Sequence, residues 1–136
     1  AYLDDGEVPC GQALRRSLEA GVDPGNITFT SDGQGSLPLF DGQGRLTGLS
    51  VGRVTSLFAA VREAVQQEKV PLETALRVIT SNPARILKLR AKGHLAPGMD
   101  ADLVLLGARD LDIHTVIARG RVLMKARKPL AKGTFE

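Results

Sequence analysis

Ile27-Thr28-Phe29-Thr30-Ser31-Asp32-Gly33 is a strand-like run that stops at a lone carboxylate and passes at once into a glycine-rich stretch. The alternation of apolar and β-branched polar residues from Ile27 to Thr30 predicts a strand. In a parallel α/β barrel, side chains at the carboxyl ends of the strands point into the active-site mouth, where a carboxylate can hold a metal or move a proton. Asp32 is therefore the leading candidate for chemistry. Ser-Asp-Gly is also ordinary turn chemistry, and the surrounding sequence has to separate the two readings.

Upstream, Ala13, Leu14 and Leu18 fall at helical spacing and predict a helix from Pro9 to Ala20 that stops at Gly21. Asp23-Pro24-Gly25-Asn26 is a turn, so helix, turn and strand form one αβ step. Downstream, residues 33–50 hold Gly33, Gly35, Gly42, Gly44, Gly48 and Pro38, a composition that predicts a long loop, functional or disordered, with neither helix nor long strand. Val51, Val54, Leu57, Phe58, Val61, Ala64 and Val65 then predict a helix to about Lys69. Pro71 opens a second helix to about Thr80. Ser81 or Asn82 caps a third, short helix, begun by Pro83 and ending at Leu89. After Arg90 the chain turns strand-rich, with an apolar strand from Ala101 to Leu106 and a hairpin from Val116 to Met124 turning at Arg119-Gly120.

The chain has 136 residues, 43% of them hydrophobic, which suffices for one packed core. Its net charge of +3 comes from scattered residues, apart from Lys125, Arg127, Lys128 and Lys132, and it has no Trp. That pattern gives no support to nucleic-acid binding. No apolar run reaches the roughly 18 residues of a membrane span and no signal segment opens the chain. A cytoplasmic protein is expected, in agreement with a single cysteine, Cys10, which reads as a small residue near a helix start rather than a nucleophile. Ala1 to Gly6 reads like the end of a strand running into a loop, as though an earlier element preceded it.

Other residues offer less. His94 and His114 are the only histidines, and neither has a ligand partner at metal-binding spacing. Gly33-Gln34-Gly35-Ser36 lacks the Gly-Lys-Ser/Thr ending of a phosphate-binding loop. Ser36 follows Asp32 in the same loop, where its hydroxyl either reaches the same mouth or is simply solvated. Asp4-Asp5 is assigned no role, and Asp100 and Asp102, flanking a turn into a strand, read as structural carboxylates.

Three strings together resemble the carboxyl-terminal part of the amidohydrolase superfamily: Ser31-Asp32-Gly33 after a strand; Thr80-Ser81-Asn82-Pro83-Ala84-Arg85-Ile86-Leu87; and Lys92-Gly93-His94-Leu95-Ala96-Pro97-Gly98-Met99-Asp100-Ala101-Asp102-Leu103. Within it, residues 31–36 with Pro38-Leu39-Phe40-Asp41 and the terminal Lys132-Gly133-Thr134-Phe135-Glu136 are similar to the isoaspartyl (β-aspartyl) dipeptidases. The resemblance implies an α/β fold: the last part of a metal-dependent (β/α)8 TIM barrel in residues 1–90, and strands of a small β-sandwich in residues 91–136. It implies hydrolysis of dipeptides whose aspartate is linked through its side chain, usually with two zinc ions. It places Asp32 as a metal ligand and as the general acid/base that takes a proton from the bridging water and passes it to the leaving amine. Ser36 is placed on the substrate's carboxylate.

The same resemblance implies what is missing. The family's His-x-His pair, its bridging ligand, two further histidines and the arginines and tyrosine of its substrate pocket have no counterpart here, so this chain alone is expected to be inactive and to need the remainder of the barrel as its partner. A homo-oligomer is implied as well. Two other readings stay open: an amidohydrolase acting on a cyclic amide or an N-acyl amino acid, and a non-catalytic interaction module that keeps the last helices and strands without the chemistry.

Overall fold

The computed structural model describes residues 8–131. Asp4-Asp5, the strand end expected at Ala1 to Gly6, and the terminal string from Lys132 lie outside the described residues. The chain is mixed α/β and divides between Pro83 and Ala84 into two compact units.

The first unit is built on helices. Helix α1, Cys10–Glu19, turns Cys10, Gly11 and Leu14 inward, and α2, Ser56–Gln66, answers with Ala60, Val61 and Ala64. Helix α3, Leu72–Arg77, starts after Pro71, whose missing N–H costs nothing at that place. Leu14, Val61, Ala64, Val70, Ala75 and Val78 form the buried core, with Ile27, Phe29 and Phe58 partly buried against it. The apolar spacings in the sequence thus mark the faces that meet.

Two expectations for this unit need correction. Residues 33–50 are not a loop: Ser36–Phe40 (β1) and Leu46–Val51 (β2) pair antiparallel, with Ser36 opposite Val51 and Leu39 opposite Gly48. Glycines interrupt the sequence between the apolar alternation of Leu37 with Leu39 and that of Leu49 with Val51, and Gly44 takes a positive φ of 75° in the turn between the strands. Because β2 takes Val51, α2 begins later than its apolar spacing suggests. The strand expected at Ile27 to Thr30 is extended, with Ile27 at φ −104° and ψ 134°, but belongs to no sheet among the described residues. A strand is defined by its partner. Here the backbone bonds a helix instead, the Phe29 N–H donating to the Val78 carbonyl at 3.1 Å.

Helix α4 spans Ser81–Ile86 and contains Asn82 and Pro83 within it. Neither Ser81 nor Asn82 is therefore its cap. The Asn82 side chain has a longer-range task, described below.

The second unit is a four-stranded antiparallel sheet in the order β3 (Leu103–Leu106), β4 (Ile113–Ala118), β5 (Arg121–Lys125) and β6 (Lys128–Pro129). The hairpin expected at Val116 to Met124 is present, with Val116 opposite Met124 and Ala118 opposite Arg121. Its turn residues Arg119 and Gly120 both have positive φ, 49° and 77°. That backbone matches the right-handed twist of the flanking strands.

Candidate functional site

Asp32 sits on a turn that is tied down from several directions. Before it, the Asn82 amide, 2% exposed, donates to the carbonyls of Pro24 (2.7 Å) and Ile27 (2.8 Å). The segment entering the turn is thereby bound to a residue more than fifty positions later. At the turn, the Ser31 hydroxyl accepts the Gly33 N–H at 3.2 Å, and the Gly35 N–H donates to the Asp32 carbonyl at 2.9 Å. The turn is then stitched to the end of β2: Gln34 N–H donates to the Gly52 carbonyl and Gly52 N–H to the Gly35 carbonyl, both at 2.9 Å.

Asp32 has φ 45° and Gln34 φ 69°. Aspartate is one of the few side chains that visits the left-handed region with any frequency, and such strained positions recur where surrounding contacts over-determine them. Gly52 is part of that over-determination. A Cβ there would lie 2.3 Å from the Asp32 carbonyl oxygen, so only glycine lets β2 approach the turn this closely.

The Asp32 side chain is exposed, and so is Ser36, the first residue of β1. They stand at the two ends of one turn. Both histidines belong to the second unit: His94 is exposed in the bends before β3, and His114 is exposed on β4 with Nδ1 2.9 Å from the Thr115 hydroxyl. Cys10 is buried at the start of α1. Among the described residues no three His, Cys, Asp or Glu side chains gather as a metal site. Asp32 offers one oxygen ligand, and a catalytic zinc takes about three ligands from protein. The described residues therefore do not by themselves fit a metal.

Asp100 and Asp102 are structural, as their turn context suggests. Lys92 Nζ bonds Asp100 Oδ2 at 2.8 Å and also bonds Asp102 Oδ2. Asp102 Oδ1 accepts the Arg119 N–H at 2.6 Å, clasping the bends at residues 92–100 to the β4–β5 turn. Hydrogen bonds from Lys92 and from the Arg119 backbone hold the Asp102 carboxyl below its ordinary range, and Asp100 and Asp102 push the Lys92 ammonium upward.

Asn82, Gly52 and Val78 hold the Asp32 turn and escape a reading for chemistry, because each bonds only to backbone, Asn82 through its side-chain amide and the other two through their own main chain. An Asn-Pro pair inside a helix was the available signal for the first. Beside the turn lies an open depression of about 740 Å³ lined by Gln34, Leu39, Ser50, Arg53, Val54 and Thr55, with Gly52 in its wall.

Two crystal structures of β-aspartyl dipeptidase from Fervidobacterium islandicum AW-1 are similar to this chain. One, in complex with a β-Asp-Leu dipeptide, superposes with TM-score 0.80 and 36% identity over 93% of this chain and 33% of that one. The other gives TM-score 0.76 and 30% identity over 98% of this chain and 32% of that one. N-acetylglucosamine-6-phosphate deacetylase from Pasteurella multocida, at 19% identity and TM-score 0.63 over 88% of this chain and 35% of that one, shares the fold. Adenine deaminase from Escherichia coli O1:K1 / APEC is 41% identical over 63 residues, 46% of this chain and 11% of the deaminase. The chain spans about a third of the length of the dipeptidase structures it matches. The family model described as the amidohydrolase family matches residues 11–123. This chain belongs to the amidohydrolase family.

Proposed function

We propose that this chain is part of a metal-dependent amidohydrolase that hydrolyses β-aspartyl dipeptides, with Asp32 as general acid/base and one metal ligand, and with Ser36 on the substrate's carboxylate. The observation that carries the reading is the likeness, at TM-score 0.80 and 36% identity, to a dipeptidase that holds β-Asp-Leu. The adenine deaminase match is confined to 63 residues, too short a stretch to carry a substrate. In this reading residues 1–90 complete a (β/α)8 barrel and residues 91–136 complete a small β-sandwich. Zinc is the metal, and its remaining ligands come from barrel strands that these 136 residues do not include.

The chemistry asked of Asp32 follows from its place and type. Water adds to the side-chain amide carbon of the aspartyl residue, the C–N bond breaks, and the departing nitrogen needs a proton. An exposed carboxylate on a fixed turn can accept the proton from the attacking water and return it to that nitrogen, so no net proton is consumed at Asp32. The hydrogen bonds at Gly35 and Gly52 keep its backbone in place through both transfers.

Asp32→Asn in the intact enzyme is expected to lower kcat on β-Asp-Leu by about 10²–10⁴, the usual contribution of a positioned acid–base group. A loss below about tenfold removes Asp32 from that role. Offering β-Asp-Leu, dihydroorotate, a hydantoin, an N-acetyl amino acid and adenine to the wild type tests the substrate class, and preference for any but the first overturns it.

A further inference from the structure

The Asp32 carboxylate stands apart from the other aspartates of the chain. Among the described residues Asp23, Asp41, Asp100, Asp102, Asp110 and Asp112 each accept a hydrogen bond or pair with a cation through the side chain. At Asp32 the bonds engage only the main chain: its N–H donates to the Thr30 hydroxyl at 3.4 Å and its carbonyl accepts the Gly35 N–H at 2.9 Å. Among the described residues nothing donates to its carboxylate.

What the carboxylate touches is Gly35. A Cβ at Gly35 would lie 3.2 Å from both Cγ and Oδ1 of Asp32 and 2.9 Å from the Asp32 carbonyl oxygen. Carbon atoms pack at about 3.5–4.0 Å, so the carboxylate occupies space that a side chain at position 35 would take. The glycine is not there for its backbone conformation. Gly35 has no positive φ, unlike Gly21, Gly44, Gly93, Gly98 and Gly120, and the bonds made by its N–H and carbonyl are open to any residue but proline.

An acid/base gains from being held in this way. An ionised carboxylate offers about four lone-pair sites, and every donor bound permanently to one of them removes an acceptor from the reaction. We infer that Gly35 is a positioning residue for Asp32: its missing side chain seats the carboxylate, so that contact in place of hydrogen bonds sets its direction and its lone pairs stay open to the attacking water and the departing nitrogen. This rests on the reading of Asp32 as the general acid/base.

The test uses the intact enzyme and β-Asp-Leu. Gly35→Ala pushes a methyl group into the seat, and a misplacement of about 1 Å at a reacting group costs about 10² in rate, so kcat is expected to fall at least about tenfold while KM stays within about twofold. Gly42→Ala, whose Cβ would meet nothing within 4 Å, should leave both unchanged. In Asp32→Asn, where the acid/base is already gone, adding Gly35→Ala should cost less than about twofold more in kcat, because residues that act as a unit are not additive. A general distortion of the site would lower kcat by the same factor in both backgrounds. That result, a smaller loss in Gly35→Ala alone, or an equal loss in Gly42→Ala overturns the role of Gly35 while leaving Asp32 in place. Should the melting temperature show that Gly35→Ala does not fold, Asp32→Ala/Gly35→Ala has no carboxyl for the methyl to meet and is expected to fold. Its failure as well would assign the need for glycine to the carbonyl contact and overturn the role. A loss below about tenfold in Asp32→Asn, or no turnover of β-Asp-Leu by the wild type, overturns the reading of Asp32 and the role of Gly35 with it.

Discussion

Asn82 shows how a residue far from any chemistry can set the position of a catalytic candidate. Its buried amide has two donors, and both are used, on Pro24 and Ile27. Those bonds fix the segment that enters the Asp32 turn, while the left-handed Asp32 backbone is closed from the other side by Gly35 and Gly52. Asn82→Ala would leave two carbonyls without that partner, and an unsatisfied buried polar group costs about 1–3 kcal/mol. The variant is expected to lose stability in that range, read by urea denaturation. Asn82→Asp keeps the shape but points an acceptor at two acceptors, so it should lose more than the alanine variant. Equal stability of the aspartate variant and the wild type would remove the amide from this role.

At the scale of elements, the β1–β2 hairpin depends on its tip. Asp41 accepts the N–H groups of Gln43 (2.8 Å) and Arg45 (2.9 Å) and the Arg45 guanidinium Nε (2.8 Å). These bonds, that of the Arg45 backbone foremost, hold the Asp41 carboxyl below its ordinary value of 3.8. A carboxyl that is more acidic in the folded chain stabilises the fold above its unfolded value and loses that contribution as the pH falls through the lower, folded value. Strand amides such as those of Leu39 and Gly48 should therefore lose protection, measured relative to intrinsic exchange at each pH, once the pH is taken below 3.8. In Asp41→Asn that acid-dependent change should vanish, and its persistence would assign it to another group. The hairpin is also where the sequence is least transparent. Helices α1 to α3 can be read from apolar spacing, because a helix satisfies its own backbone and shows its buried face at every turn. The β4–β5 hairpin is legible from Arg119-Gly120. In β1 and β2 the glycines mask the alternation, and at Ile27 to Thr30 the alternation is clear although no second strand among the described residues lies beside it. The exposed carboxylate at Asp32 is visible in the sequence, whereas Asn82 and Gly52 are not, since backbone contacts leave no chemical signature in a residue list.

On the scale of the whole chain, much apolar surface is left uncovered. In the first unit Leu46, Leu49, Val51 and Val54 are each more than 60% exposed, and in the second Leu130 is 63% and Leu105 50% exposed. Exposed apolar side chains in such numbers favour association in water. The 136-residue chain made by itself is expected to self-associate or to bind a hydrophobic dye, as read by light scattering and fluorescence. A monodisperse monomer that melts cooperatively would show that the surface is harmless. The long reach of Asn82 also has a consequence in time. Its partner Ile27 is made 55 residues earlier, and a ribosome adding 5–20 residues per second needs roughly 3–11 s to cover that stretch. Throughout that interval the nascent Asp32 turn lacks the Asn82 clamp on its entering side, and its other tie there, to Val78, is made only four residues sooner, so the candidate acid is set in place only after most of its own unit has been synthesised.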